Sequence, residues 1–375
     1  MNKTKQRWVI KAGSSLLSGG DSGINKVFIE NLVSQVSYLL SKDIEVILVS
    51  SGAVAKGMHE LNLKKRPSSI HLLQASAAIG QMGLINAYQE EFNKFDLKAA
   101  QILISHDDIN NRNRYLNARR SIETLLELKV VPIVNENDTV ATEEISFGDN
   151  DTLAGSLVGL VTANRLVMLT DQVGVCTGDP QNDPLAELIE EIDLEDKNLD
   201  LSKQLAGSSG ALGRGGMRTK LDAAKKALNS GAISWVVDGR KKRILESIWL
   251  EEPAGTKIFG LRSKLQSRKS WIDSLGLSLG KIIIDKGAVK SITENGSSLL
   301  AAGITSTEGD FGRGSLIVCY DEQDQEIAKG LSNFNSNEIE KIKGLHSKEF
   351  RTILGYTSDE EVIHRNNFVL SERFT

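Results

Sequence analysis

Residues 45–55 read Glu45-Val46-Ile47-Leu48-Val49-Ser50-Ser51-Gly52-Ala53-Val54-Ala55. The run from Val46 to Val49 is apolar at every position rather than at every second one, which predicts a strand covered on both faces. Small residues follow at once and lead into a helix start, where the chain can approach a ligand closely and unpaired N–H groups favour an anion. Working outward, similar apolar runs occur at residues 8–10, 99–104, 130–134, 165–169 and 233–237. Segments with helical spacing separate them at 27–40, 70–92, 109–128, 152–161 and 217–228. This alternation predicts an α/β fold, a mostly parallel sheet sandwiched between helices, with ligands outside the carboxyl ends of the strands.

The chain has 375 residues, enough for two domains, and its 40% hydrophobic content supplies a sizeable core. A formal net charge of −4 gives no cationic field, which argues against a nucleic acid as the main partner. Two distant cysteines, Cys176 and Cys319, fit a reduced cytoplasmic protein better than a disulfide scaffold or a zinc site. Neither a signal peptide nor a membrane span is expected, because no apolar run approaches eighteen residues.

The character changes after Gly260. Residues 263–277 read as a basic linker, and residues 278–355 as a small β-rich module of short segments at 281–285, 315–320 and 326–331. Turns are expected at Asp285-Lys286-Gly287, Glu294-Asn295-Gly296 and Gly312-Arg313-Gly314. The expected organisation is therefore a catalytic domain at 1–262, the linker, the module, and a tail at 356–375. About nine basic against eleven acidic side chains in 278–355 leave the module without a nucleic-acid footprint.

The sequence lacks the P-loop, GxSxG and HExxH signatures. What remains is a set of polar segments at strand ends. Lys11-Ala12-Gly13-Ser14-Ser15 puts a cation and small residues after the first strand, where they suit a phosphate or a simple turn. Asn135-Glu136-Asn137-Asp138 follows another strand, and Asp138 offers a charge for an ammonium group. Phe147-Gly148-Asp149-Asn150-Asp151 enters a helix, where each polar residue alone would serve as a cap. Thr170-Asp171 closes a further strand, and Gly213-Arg214-Gly215-Gly216-Met217-Arg218-Thr219-Lys220 is a glycine-rich, cationic helix entrance. Together they suggest phosphoryl transfer, which needs cations on the transferring group, a metal and an aligned acceptor. A carboxylate acceptor, ionised at neutral pH, needs no general base.

In order and content these segments closely resemble the amino acid kinase family, in the branch that carries a C-terminal PUA domain, and the resemblance spans nearly the whole chain. It implies a three-layer α/β/α sandwich followed by a small β-barrel. It also implies ATP- and Mg²⁺-dependent phosphorylation of the L-glutamate γ-carboxylate in proline biosynthesis, feedback inhibition by proline, and a homo-oligomer, dimer or tetramer. Carried over by position, Lys11, Lys220 and Asp151 would be catalytic. Ser51, Gly52, Asn135, Asp138 and Asn150 would bind substrate. Lys11, Thr170, Asp171, Arg214, Gly215, Gly216, Met217, Arg218, Thr219 and Lys220 would bind the nucleotide, and no protein-held metal site is expected. Arg214, Arg218 and Cys176 depart from the usual pattern.

Overall fold

In the computed structural model, residues 6–19, 23–140, 150–178, 180, 183–196, 216–260, 272, 278–356, 359–371 and 373 are described. They fall into two compact units, residues 1–110 with 117–261, and residues 262–375 with 111–116.

The first unit is built on eight strands: β1 (Arg7–Ala12), β2 (Glu45–Val49), β3 (Lys98–Ile104), β4 (Val130–Glu136), β5 (Arg165–Thr170), β6 (Glu191–Asp193), β7 (Ile233–Asp238) and β8 (Thr256–Phe259). Their order across the sheet is β3-β4-β2-β1-β5-β7-β8-β6. All neighbours are parallel except β7 and β8. The connecting helices are α1 (Ser14–Leu17), α2 (Lys26–Ser41), α3 (Ala53–Glu60), α4 (Ile70–Asn93), α5 (His106–Asn110), α6 (Arg112–Glu127), α7 (Asn150–Val161), α8 (Met217–Asn229) and α9 (Ile244–Trp249).

Strand alternation sorts the two faces. Trp8, Ile10 and Ala12 join α2, α4 and α9 in one core on one side of the sheet. Lys11, between them in sequence, points to the other side and meets α7. The sheet and its helical layers agree with the α/β/α expectation. Two details differ. The segment expected as one helix over 109–128 is divided into α5 and α6. The apolar run at 99–104 is not covered on both faces: β3 is the sheet's edge strand, and Gln101 and Leu103 are exposed.

The second unit holds a five-stranded sheet, β9 (Gly280–Ile284), β10 (Ile304–Glu308), β11 (Leu316–Tyr320), β12 (Glu326–Leu331) and β13 (Phe368–Leu370), in the order β10-β9-β11-β12-β13. Asp285-Lys286-Gly287 is not a turn. Asp285 caps α10 (Lys286–Asn295) by accepting from the Ala288 N–H at 2.7 Å, and Gly296, left-handed at φ 58°, ends that helix. Capping and turn chemistry use the same residue types, which is why the sequence read as a turn. Gly314, at φ 72°, fits the expected turn at 312–314. The C-terminal segment packs into this unit: Val362 and Ile363 are fully buried, Leu299 donates to the Ile363 carbonyl at 2.8 Å, and β13 pairs with β12. Two further helices, α11 (Ser336–Ile342) and α12 (Phe350–Leu354), complete it. Among the described residues no helix is long and apolar enough to cross a membrane.

Candidate active site

The candidate residues converge at the carboxyl ends of β1, β2, β4 and β5. Asp151, in the first turn of α7 and completely buried, is the centre. Lys11 Nζ lies 2.7 Å from its Oδ1, and Lys220 Nζ lies 3.1 Å from its Oδ2. The Thr219 hydroxyl donates to Oδ2 at 2.8 Å and stands 2.8 Å from the Gly216 carbonyl. Burial alone would raise the Asp151 pKa, but the Lys11 and Lys220 charges, with hydrogen bonds from Lys11 and Thr219, outweigh it and hold the carboxyl at about 2. For Lys220, burial and the neighbouring Lys11 charge lower the pKa against the pull of Asp151. Asp151 is therefore a permanent anion that orients two buried ammonium groups. It is not the helix cap that its position suggested.

This geometry depends on how closely α7 and α8 approach. A Cβ added to Gly155 would lie 2.7 Å from the Ala223 carbonyl oxygen, so only glycine lets the two backbones pack at this distance. The buried face of α8 carries Lys220, Leu221, Ala223, Ala224 and Ala227, which puts the lysine on the apolar stripe and aims it at Asp151.

Beside this triad runs a chain of amides. Asn150 Nδ2 lies 2.6 Å from the Ser50 carbonyl, 3.0 Å from Ser51 Oγ and 2.9 Å from Asn135 Oδ1. Asn135 Nδ2 in turn donates to Gln81 Oε1 at 2.8 Å, while the Glu136 N–H donates to Asn135 Oδ1 at 3.0 Å. Tyr88 closes the buried end, its hydroxyl 3.1 Å from Ser50 Oγ. Burial pushes the Tyr88 phenol up to about 12, so it stays neutral. Gly52, left-handed at φ 96°, turns the chain from Ser51 into α3.

Next to the amides is a cavity of about 230 Å³ lined by Ala77, Ala78, Gln81, Gln101, Leu103, Glu136, Asn137, Asp138 and Thr139. Burial, then the Glu136 charge, raises the Asp138 carboxyl to about 7, with Arg66 opposing. Two acidic groups on one wall suit a ligand with a cationic end.

Among the residues expected to meet the nucleotide, Thr170 is buried at the end of β5 and donates to Asp171 Oδ1 at 3.2 Å, and Gly239 N–H donates to the Thr170 carbonyl at 2.8 Å. Gly216 is the N-cap of α8, leaving that helix's first N–H groups without a side-chain cap. Arg218 is exposed and pairs with Asp222 at 4.0 Å. Arg214 and Gly215, with Phe147, Gly148 and Asp149, lie outside the described residues. Cys176 is buried in a bridge with Leu188, and burial raises its thiol pKa.

Sequence reading missed Gln81, Ser50 and Tyr88, and gave Glu136 no role. One signal was available. Gln81 sits on the buried stripe of α4 with Leu73, Ser76, Ala77, Gly80, Leu84 and Tyr88, a polar side chain where the period demands an apolar one.

The model of the amino acid kinase family matches residues 6–237, and that of the PUA domain matches residues 280–354. The chain belongs to the amino acid kinase family. Within it, the chain is similar to the glutamate 5-kinase of Nitrosococcus oceani, 47% identical over 98% of both chains. It is also similar to that of Chromohalobacter salexigens, 46% identical over 97% of this chain and 96% of the other. The glutamate 5-kinase of Pseudomonas aeruginosa is 45% identical over 97% of this chain and 98% of its own. The Lys11–Asp151–Lys220 cluster lies at the strand ends, and Asn150, next to Asp151 in sequence, is linked through Asn135 to Gln81, which lines the cavity that also holds Glu136 and Asp138.

Proposed function

We propose that the chain is an ATP-dependent carboxylate kinase. In this reading residues 1–262 transfer the γ-phosphoryl group of ATP to the γ-carboxylate of L-glutamate, giving L-glutamyl 5-phosphate in the first step of proline biosynthesis. The observation that carries the reading is the pair of buried lysines held on one buried carboxylate, whose sequence neighbour Asn150 is linked through Asn135 to Gln81 in a cavity with two acidic residues in its lining. The names of its near-full-length relatives support the choice of glutamate.

The chemistry follows from the charges. The acceptor carboxylate is ionised at neutral pH and attacks without a general base. Lys11 and Lys220 neutralise the transferring phosphoryl as charge spreads over its oxygens, and Asp151 holds both ammonium groups before the substrates arrive, so little reorganisation is needed. Asp138 receives the α-ammonium, while Asn150, Asn135, Ser51 and Gly52 hold the rest of the amino acid. Thr170, Asp171 and the segment 214–220 receive the nucleotide.

Mg²⁺ fits as a partner of the triphosphate. Among the described residues no three His, Cys, Asp or Glu side chains stand together to hold an ion, and the Asp151 oxygens face lysines. When bound on the phosphates the ion supplies further neutralisation of the transferring group.

The reading extends to a cytoplasmic homo-oligomer, dimer or tetramer, inhibited by proline, whose zwitterion shares the ammonium and carboxylate of glutamate.

The test is to trap the acyl phosphate with hydroxylamine in the presence of ATP and Mg²⁺. Glutamate, aspartate and acetylglutamate are offered in turn as acceptor, with and without proline. The expected result is γ-glutamyl hydroxamate from glutamate only, suppressed by proline. Preference for acetylglutamate would refute the assignment of Asp138, and no hydroxamate from any acceptor would refute the kinase reading.

A further inference from the structure

The orientation of every amide in the chain from Ser50 to Gln81 is fixed by groups that can act in one way only. The Ser50 carbonyl only accepts, so the Asn150 NH₂ must face it. The Glu136 N–H only donates, so the Asn135 oxygen must face it, and the same oxygen accepts from Asn150. The Asn135 NH₂ then points at Gln81, whose oxygen must accept. By elimination the Gln81 NH₂ is turned away from the chain. It is buried and has no hydrogen-bond partner, on a residue that is only 8% exposed and that lines the 230 Å³ cavity. At the other end of the same chain, Asn150 Oδ1 is a buried acceptor with no partner. Leaving such a group unpaired costs about 1–3 kcal/mol, a cost that a ligand removes when it supplies an acceptor to the Gln81 NH₂ or a donor to Asn150 Oδ1.

The position of Gln81 follows from its neighbour. A Cβ on Gly80 would lie 1.9 Å from the Ala53 carbonyl oxygen, and one on Gly57 would lie 1.7 Å from the Ser76 carbonyl oxygen. The two glycines let α4 lie directly on α3, and this contact seats Gln81 against the end of β4.

We propose that Gln81 contacts the substrate directly, its Nε2 donating a hydrogen bond to the α-carboxylate of the amino acid. The inference rests on the glutamate reading above and deepens it. An α-amino acid carries an ammonium and a carboxylate on one carbon. A cavity with only acidic walls would attract the first and repel the second. Glu136 and Asp138 provide for the ammonium, and Gln81 is the donor on the same wall that makes the carboxylate acceptable. The residue thereby selects a zwitterion over a simple amine.

The experiment compares L-glutamate with 4-aminobutyrate, which keeps the ammonium and the phosphoryl-accepting carboxylate but lacks the α-carboxylate. The variants are Gln81→Glu, which keeps the acceptor for Asn135 and removes the donor, and Gln81→Met, which keeps the bulk without either polar atom. For each, hydroxamate formation gives kcat/KM, with the inhibition constant of 4-aminobutyrate against glutamate as a second reading. In Gln81→Glu the glutamate kcat/KM is expected to fall about tenfold or more through KM. The KM for ATP and the value for 4-aminobutyrate should hold, so that the preference between the two amino acids collapses. Gln81→Met reduces the same preference, and measures it if the Glu variant does not fold. An equal loss for both compounds would mean that Gln81 works only by holding Asn135, and an unchanged preference would mean that it touches nothing; either overturns the inference. A wild-type protein that makes no γ-glutamyl hydroxamate refutes the functional reading instead. Calorimetric binding of glutamate and 4-aminobutyrate to wild type and Gln81→Glu then still decides the role of Gln81.

Discussion

Gly155 lies so close to Ala223 that an added Cβ would stand 2.7 Å from the Ala223 carbonyl oxygen. Three residues before Ala223 on the same helix, Lys220 reaches Asp151, four residues before Gly155. The spacing of the Lys220–Asp151 pair is thus set by a backbone contact one turn away. Gly155→Ala gains helix propensity of up to about 1 kcal/mol, yet it forces the two helices apart at a cost of about 1–3 kcal/mol. The expected outcome is a lower Tm together with a fall in kcat that exceeds the loss of folded protein. Thermal unfolding and turnover measured on the same samples check it; full kcat at a lowered Tm would uncouple the contact from the site.

Removing Lys220 while leaving Lys11 in place isolates one charge. Lys220→Ala is expected to lower kcat by about a hundredfold or more, as loss of a dedicated charge-stabilising donor does. Steady-state rates with both substrates saturating decide it, and an unchanged kcat would exclude the role.

The buried carboxyl also carries a pH signature. Asp151 titrates at about 2 when folded, below its ordinary value of 3.8, so the native state binds fewer protons than the unfolded chain between these values. Its contribution, about 2 kcal/mol from the size of the shift, is complete above pH 4 and disappears as the pH falls through 2. Denaturant titrations of wild type and Asp151→Asn between pH 5 and 2 should converge toward the acid end. A constant difference across that range would contradict the assignment.

Much of this site was legible because its residues follow two-sided apolar strands, and such strands announce where a parallel sheet ends. Lys11, Asn135 and Thr170 were found in this way. The edge position of β3 was not read, although Gln101 within the run at 99–104 was a local sign of an uncovered face; Leu103 gave none. Nor was the work of Gly155 and Gly80, because a glycine inside a helix signals closeness without saying to what. Taken alone, Asp151 reads as a cap, because an acidic residue at a helix entrance ordinarily is one; it was singled out only in combination with Lys11 and Lys220, which reach it from distant elements.

In the second unit, Glu338 accepts four hydrogen bonds from three residues. Arg313 donates to its two oxygens at 2.7 Å each, Tyr356 at 2.6 Å, and the Asn335 N–H at 2.9 Å in the capping box of α11. Arg313 also stacks on the Phe334 and Tyr356 rings. Glu338→Ala leaves a partly buried guanidinium unpaired and removes one half of the capping box, while Asn335 still caps the helix, and is expected to destabilise this unit by about 2–4 kcal/mol. Hydrogen exchange resolved by segment should show the loss within 278–371, with protection of the 6–260 segments unchanged. Uniform loss across the chain would mean that the two units unfold together.

The last prediction concerns Asp138. Burial first, and the Glu136 charge second, hold its carboxyl near 7 without ligand, against the opposing Arg66. An ammonium seated against it stabilises the anion, so the complexed group titrates lower and binding releases a proton. The sign follows: above pH 7 the carboxylate is already charged and the glutamate KM is flat, whereas below 7 a proton must leave first and KM rises as the pH falls. Because a folded pKa above the ordinary value means more protons bound by the native state, the ligand-free protein also loses stability as the pH rises from about 4 through 7. Asp138→Asn should raise KM at pH 8 with kcat largely kept, remove the rise below pH 7, and flatten the stability profile. Glutarate, which lacks the ammonium, serves as the internal control, since the substitution removes a repelling charge and should not weaken its binding. A KM profile for glutamate that keeps its rise below pH 7 in Asp138→Asn would assign that titration to another group.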